Sequence, residues 1–250
     1  MSVARINFSH AGADYTYPEK LLNLVRNAHG KHHDLADDGA VDGDMPPNLR
    51  AVLVDTKGPE IRTQPLQGDV DVAEIAAGAI VEITTEDVSG DAPPASADGP
   101  HRIQVDYAKI ATSVSVGSQI LLDDGLIELE VTDISVNGLI TTVASNGGPI
   151  KKNKGVNLPG TSIDLPALTE KDKRDLRWAC KNGADFVAAS FIRTAANVRS
   201  TVAFLDRCIA ELQAEDPTGT YMRPLVISKI ENKEGVDNFD EILVESDGIM

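Results

Sequence analysis

The sequence predicts an α/β fold in which βα units of a parallel sheet flank an inserted, small all-β domain. Three observations carry this expectation. Strand-like and helix-like segments alternate at both ends of the 250 residues, and between about Arg62 and Val156 they give way to short strands with tight turns. Polar residues gather where the strands of the outer segments end. Helices that repeatedly follow strands imply parallel pairing with helical crossovers. A doubly wound sheet and a (β/α)8 barrel both fit that order.

In chain order, Val3 to Phe8 reads as a strand and Leu21 to Ala28 as a helix. His29 to Pro47, rich in Asp, Gly and His, reads as an exposed loop. Its His29, His32, His33 and Asp34 have no second ligand cluster of suitable spacing, so a solvated loop is favoured over a metal site. Ala51-Val-Leu-Val-Asp55 has the apolar run of a buried strand. In the middle segment, Ile80 to Thr84, Ile103 to Val105 and Ile127 to Val131 alternate apolar and polar residues. Asp124-Gly125, Asn137-Gly138 and Gly147-Gly148-Pro149 supply turn signals between them. Ser89 to Pro100 reads as an exposed loop of that domain.

After Pro159 the βα pattern resumes. Thr169 is placed as an N-cap with Asp172 at the third helical position and Leu168 as a hydrophobic staple, and the helix ends near Gly183. Phe186 to Phe191 is a buried-type strand, and Val198, Val202, Leu205, Ile209 and Leu212 trace one face of an amphipathic helix. A turn at Asp216 to Gly219 leads to a strand over Leu225 to Ile230. A helix bearing Val236, Phe239, Ile242 and Leu243 follows, and a strand begins at Ser246 to Met250. The chain stops as that strand starts, without its partner helix, which we read as truncation.

Composition narrows the function classes. A formal net charge of −16 argues against a general nucleic-acid or anionic-membrane surface. Any cations that hold an anionic substrate must therefore be clustered locally. Cys180 and Cys208 show no metal-ligand spacing and read as small buried hydrophobes in a reducing compartment. No secretory leader pattern and no apolar run of about 20 residues is present, so the cytosol is the expected location.

In either parallel architecture, functional side chains collect at the carboxyl ends of the strands. Arg5, Asn7 and Ser9 lie at i, i+2 and i+4, on one face of an extended segment. An edge strand with a polar face would show the same pattern. Asp55-Thr-Lys-Gly-Pro-Glu-Ile-Arg62 breaks from a buried strand into four charges around a forced turn. Ser190-Phe-Ile-Arg193 is a weaker signal of the same kind. At the end of the last full strand, Lys229 and Glu231 are two apart and point the same way. A carboxylate suits Mg²⁺ and an ammonium suits a transferring phosphoryl group, while a structural ion pair is the plain alternative. Neither a P-loop nor a dinucleotide fingerprint occurs. Lys151, Lys152 and Lys154 read as a solvated hinge, and Asp123-Asp124-Gly125 as a hairpin turn.

Together these segments resemble the pyruvate kinase family. The resemblance rests on Val3-Ala-Arg-Ile-Asn-Phe-Ser-His10, Asp55-Thr-Lys-Gly-Pro-Glu-Ile-Arg62, Gly155-Val-Asn-Leu-Pro-Gly160, Ser228-Lys-Ile-Glu231 and Ser246-Asp-Gly-Ile-Met250, in the family's order and across essentially the whole chain. Leu122 to Leu126 and Ala189 to Arg193 look like further family segments. One departure is Ala11-Gly12 after Ser9-His10, where the family usually has Gly at once.

The resemblance implies an incomplete (β/α)8 TIM barrel with an inserted β lid. Residues 1–61 would hold barrel strands two and three, residues 62–156 the lid, and residues 157–250 strands four, five and the start of six. It also implies phosphoryl transfer from phosphoenolpyruvate to ADP, giving pyruvate and ATP, with Mg²⁺ and K⁺. Carried over, Asn7, Ser9, Asp55 and Thr56 would bind K⁺, Arg5 would contact the transferring phosphate, Lys229 would stabilise charge on phosphate and enolate, and Glu231 would ligate Mg²⁺. Glu60 in Gly-Pro-Glu resembles the K⁺-dependent branch. Strict alternation points Thr56 away from Asp55, so its carbonyl or a twist would have to serve. The first barrel strand, the second Mg²⁺ carboxylate, the last two strands and a regulatory domain would lie outside these residues. The parent protein would be a homotetramer, and the chain alone is expected to lack turnover. A lyase of related phosphoenolpyruvate-using barrels and a non-catalytic binding module are the rival readings.

Overall fold

A computed structural model describes residues 2–9, 11–12, 14–28, 50–94, 96–161 and 163–250. The loop expected over His29 to Pro47, with its histidines, lies outside the described residues. The chain divides into two compact units: Met1–Pro59 with Pro166–Glu231 and Gly235–Met250, and Glu60–Leu165 with Asn232–Glu234.

The first unit is built on a five-stranded sheet of β1 (Val3–Asn7), β2 (Ala51–Asp55), β12 (Phe186–Ala189), β13 (Leu225–Ser228) and β14 (Gly248–Ile249). Every pairing is parallel, and the spatial order is the chain order. A doubly wound sheet reverses direction at a switch point. This sheet winds one way only, as the strands of a (β/α)8 barrel do. β1 alternates cleanly, with Ala4 and Ile6 buried and Val3, Arg5 and Asn7 exposed, whereas Val52 to Asp55 of β2 are all buried, as befits a central strand.

Helices α1 (Thr16–Asn27), α3 (Glu170–Lys181) and α4 (Ala195–Glu215) complete this unit's core with the shorter α6 (Phe239–Glu245). α3 starts with the expected capping box: Thr169 Oγ1 accepts from the Asp172 amide while the Asp172 carboxylate accepts from the Thr169 amide. Leu176, Ala179 and Cys180 of α3 pack with Val198, Leu205, Cys208 and Leu212 of α4.

Several expectations are corrected. α1 begins five residues before the expected Leu21, because Pro18 falls in the first turn, where a missing amide costs nothing. The strands expected to reach Phe191 and Ile230 end at Ala189 and Ser228. Phe191 adopts a left-handed φ of 57° that closes the first of them. The expected last helix is broken at Asn238 into α5 (Lys233–Asp237) and α6, and Asn238 Nδ2 donates to the Arg193 carbonyl at 2.9 Å. Of its apolar residues only Ile242 is buried; Val236 and Leu243 are exposed.

The second unit contains a closed barrel in the order β11 (Gly155–Asn157), β3 (Ile61–Leu66), β6 (His101–Val105), β5 (Ile80–Thr84), β9 (Ile140–Ala144), β8 (Ile127–Ile134) and β7 (Gln119–Leu122). β4 (Val72–Ile75) and β10 (Gly148–Lys151) form a separate antiparallel pair, and a one-turn helix, α2 (Ile110–Ser113), lies between β6 and β7. Alternation fills the barrel: Ile127, Leu129 and Val131 point in while Glu128 and Glu130 point out. The Asp123-Asp124-Gly125 turn has three consecutive positive φ values, the conformation a tight hairpin between β7 and β8 demands.

Gly147-Gly148-Pro149 is not simply a turn. Gly148 and Pro149 open β10, a two-stranded ribbon where proline's missing donor is tolerated. The lysine run is solvated at Lys151 and Lys152, both exposed. Lys151 ends β10, the next residues turn into β11, and Lys154 is paired with Asp123 at 3.0 Å.

Candidate active site

The carboxyl ends of β1, β2, β12 and β13 lie side by side in the first unit, and the polar residues there form one connected cluster. At its centre is Asp55, the last residue of β2, with a side chain only 2% exposed. A buried carboxylate must be matched by donors. Arg5 Nε donates to Asp55 Oδ2 at 2.8 Å, and Arg5 Nη2 bonds the same oxygen. The parallel register places these side chains together, since Arg5 pairs with Leu53 and Asn7 with Asp55 itself. On the other oxygen, Lys229 Nζ donates to Oδ1 at 3.2 Å, while Ser190 Oγ lies 3.4 Å away with its proton directed to the Thr56 carbonyl. Two cationic side chains thus supply three donors to this carboxylate.

Lys229 is the second hub. Its ammonium also donates to Ser190 Oγ at 2.9 Å and faces Glu231 Oε1 at 3.1 Å. The other oxygen, Glu231 Oε2, accepts from the Phe191 amide at 2.9 Å. The left-handed turn at Phe191 thus aims a backbone donor at a carboxylate, an unusual conformation kept at a functional-looking position. Although β13 ends at Ser228, Lys229 and Glu231 do point the same way, and Ile230 between them packs on the core.

Thr56 is buried, and its side chain lies against the backbone at the end of β12, with Oγ1 donating to the Ala188 carbonyl and accepting from the Ser190 amide, both at 3.3 Å. Its own carbonyl accepts from Ser190 Oγ at 2.6 Å, so the backbone oxygen faces the same hydroxyl that Lys229 and Asp55 share. Asn7 and Ser9 remain at the rim of β1, where Asn7 Oδ1 accepts from the Ser9 amide at 2.8 Å.

Ser190 is the residue sequence reasoning missed. It was visible only as part of a weak Ser-Phe-Ile-Arg signal, yet it joins Asp55, Thr56 and Lys229. Its closeness to Gly58 explains that glycine. Gly58 has φ +72°, and an added Cβ would stand 2.7 Å from both the Ser190 Cβ and the Ser190 carbonyl oxygen.

As a metal environment the strand ends offer an amide oxygen at Asn7 and a hydroxyl at Ser9 on the rim of β1, with carboxylates at Asp55 and Glu231 and a carbonyl at Thr56 in the cluster. These are hard oxygen donors, suited to K⁺ or Mg²⁺ and not to soft transition ions. Among the described residues no group of three or more His, Cys, Asp or Glu stands together as metal ligands. No helix among them is long and apolar enough to cross a membrane.

Comparison with known proteins agrees with this geometry. A family model described as "Pyruvate kinase, barrel domain" matches residues 1–250. The chain is 39% identical over 250 residues to a pyruvate kinase of Hypocrea jecorina, covering all of this chain and 40% of that protein. It is 41% identical over 252 residues to a pyruvate kinase of Bacillus licheniformis, covering all of this chain and 37% of the relative. It is also 41% identical over 253 residues to the human protein named Pyruvate kinase PKLR, again along its whole length and 39% of the relative. It spans 36% to 43% of the length of such relatives. A parallel sheet wound in one direction, a charged cluster at its strand ends and a match along every residue lead to one conclusion: the chain belongs to the pyruvate kinase family.

Proposed function

We propose that this chain supplies part of a phosphoryl-transfer site that moves the phosphoryl group of phosphoenolpyruvate to ADP, giving pyruvate and ATP, in the cytoplasm and within a homotetrameric parent protein. The observation that carries the reading is Lys229. In a chain of net charge −16, its ammonium is largely buried between two carboxylates at the end of a parallel strand, with Arg5 across Asp55. Local cations in a shielded setting are what a transferring phosphoryl group requires. Asp55 and Glu231 hold the Lys229 ammonium in place at the strand end.

Arg5 holds the phosphate in this reading. Its side chain is 55% exposed against 2% for Asp55, so Arg5 is the partner free to swing outward. Asn7, Ser9, Asp55 and the Thr56 carbonyl would hold K⁺, and Glu231 would hold Mg²⁺, with its second oxygen oriented by the Phe191 amide. When bound, the ions would supply positive charge to offset that of the phosphoryl oxygens. Because Arg5 and Lys229 already occupy Asp55, a cation at that carboxylate competes with Arg5. The residues fit both ions, with Arg5 as the group that yields.

One protein carboxylate gives weak Mg²⁺ binding, and the isolated 250 residues are expected to show negligible turnover. The test is therefore binding. Titrating phosphoenolpyruvate with Mg²⁺ and K⁺ into the chain, followed by its ³¹P resonance, should give saturation that Lys229→Met and Arg5→Ala each weaken. Binding unaffected by both substitutions would refute the assignment. Carbon–carbon cleavage of an oxo-acid by the longer protein, without phosphoryl transfer, would favour the lyase reading.

A further inference from the structure

Helix α3 does more at its first turn than an ordinary cap requires. Asp172 is wholly buried, and its Oδ2 closes the capping box, accepting from the Thr169 amide at 2.9 Å and the Thr169 hydroxyl at 2.6 Å. That satisfies the cap. The other oxygen, Oδ1, reaches out of the helix and accepts from the Gly58 amide at 2.9 Å, in the turn that follows β2. The residue before it behaves similarly. Lys171 Nζ donates at 2.8 Å to the Phe8 carbonyl, in the turn that follows β1. It also donates to Asp175 Oδ2 at 2.7 Å, and Tyr15 Oη donates to Asp175 Oδ1 at 2.8 Å. Asp175 is itself wholly buried, so this is not a solvent-screened surface pair.

Phe8 lies between Asn7 and Ser9, and Gly58 lies two residues beyond Thr56. One helical turn therefore grips both strand-end turns. We propose that Lys171 and Asp172 are positioning residues, which set the turns after β1 and β2 so that Asn7, Ser9, Asp55 and the Thr56 carbonyl converge on one monovalent cation. This inference rests on reading those four residues as the cation pocket. Outer partners that fix ligand orientation typically govern affinity by about 10–100-fold when removed.

The chain carries its own reporter. Trp178 is its single tryptophan, and its ring lies 5.0 Å from that of Phe8. The experiment compares wild type, Lys171→Met, and the double variant Lys171→Met/Asp175→Asn. The double variant removes the unpaired buried carboxylate that would otherwise destabilise the fold, yet still lacks the bond to the Phe8 carbonyl. K⁺ is titrated at constant ionic strength, with tetramethylammonium as the replacement, and Trp178 fluorescence is read. In parallel, amide exchange is measured at Ser9 and Ala11, whose N–H groups donate within this turn, and along β2.

Positioning predicts a K⁺ midpoint raised about tenfold or more in both variants. It also predicts lost protection at Ser9 and Ala11 with β2 still protected. A K⁺ midpoint in the double variant equal to that of wild type overturns the proposal. If wild type shows no saturable K⁺ response, the cation reading of the four residues falls and exchange decides alone. Protection retained at Ser9 and Ala11 in the variants then overturns positioning, and its selective loss supports it.

Discussion

Replacing Gly58 by alanine should damage the site and the fold together, by an amount the structure allows to be worked out. Two costs add. Gly58 has φ +72°, where a side chain costs about 1–2 kcal/mol. The new methyl would also stand 2.7 Å from the Ser190 Cβ and carbonyl oxygen, closer than real contacts come, so Ser190 or the turn must move. Forced shifts of packed groups cost about 1–3 kcal/mol. The total, about 2–5 kcal/mol, is a large share of a typical domain's stability. Trp178 lies in the same unit, so urea unfolding read by its fluorescence follows the affected core. With a slope of about 2 kcal/mol per molar urea, the midpoint should fall by about 1–2.5 M. Gly183→Ala is the control. It shares a positive φ of 60°, but the added Cβ would meet only the end of the Arg26 side chain, at 3.5 Å. It should therefore show the backbone cost alone. Equal midpoints for the two variants would refute the claim that contact with Ser190 fixes this glycine.

Three further outcomes are expected. Arg5→Ala should lower the K⁺ midpoint read by Trp178, because Arg5 competes for Asp55, while phosphoenolpyruvate binding weakens; a raised K⁺ midpoint would contradict that competition. Burial pushes the Cys180 thiol up to about 12 and raises that of Cys208, so a disulfide reagent at pH 8 should label neither thiol in the folded chain and both in denaturant. Burial first, and then the bond to Asp175, push Tyr15 up from 10.0 to about 12. A raised folded value means its stabilisation is complete below pH 10 and disappears as pH climbs through about 12. Relative to Tyr15→Phe, wild type should therefore lose stability across that window in denaturant titrations, and a constant difference would count against the Tyr15–Asp175 bond.

Much of this was legible in the sequence because it depended on local period. The alternation of Val3 to Asn7 separated Arg5 and Asn7 from Ala4 and Ile6, and the apolar run before Asp55 marked a central strand. The Thr169 cap with Asp172 was equally local. What escaped depended on partners distant in sequence. Asp172 could be read as a cap, but not as a partner of Gly58, 114 residues away. Ser190 gained meaning only when β2, β12 and β13 were aligned in register. The direction of the Thr56 carbonyl likewise follows from the end of β2, where alternation stops applying. In the β unit, β4, β10 and β11 were too short, or too rich in Pro, Gly and Lys, to show a period. Pairing revealed them: β11 closes the barrel between β3 and β7, and β4 and β10 pair with each other. The apolar residues of the last helix misled in the opposite sense, because the break at Asn238 leaves Val236 and Leu243 exposed.

In the proposed site, the Lys229–Glu231 pair at the end of β13 is the metal and phosphate end. That role is tested most directly with Mn²⁺ in place of Mg²⁺, by measuring paramagnetic broadening of the phosphoenolpyruvate ³¹P resonance in the presence of the chain and K⁺. Saturable broadening that Glu231→Gln abolishes, with the fold intact by circular dichroism, is the predicted result. Broadening that is the same in wild type and Glu231→Gln would contradict it.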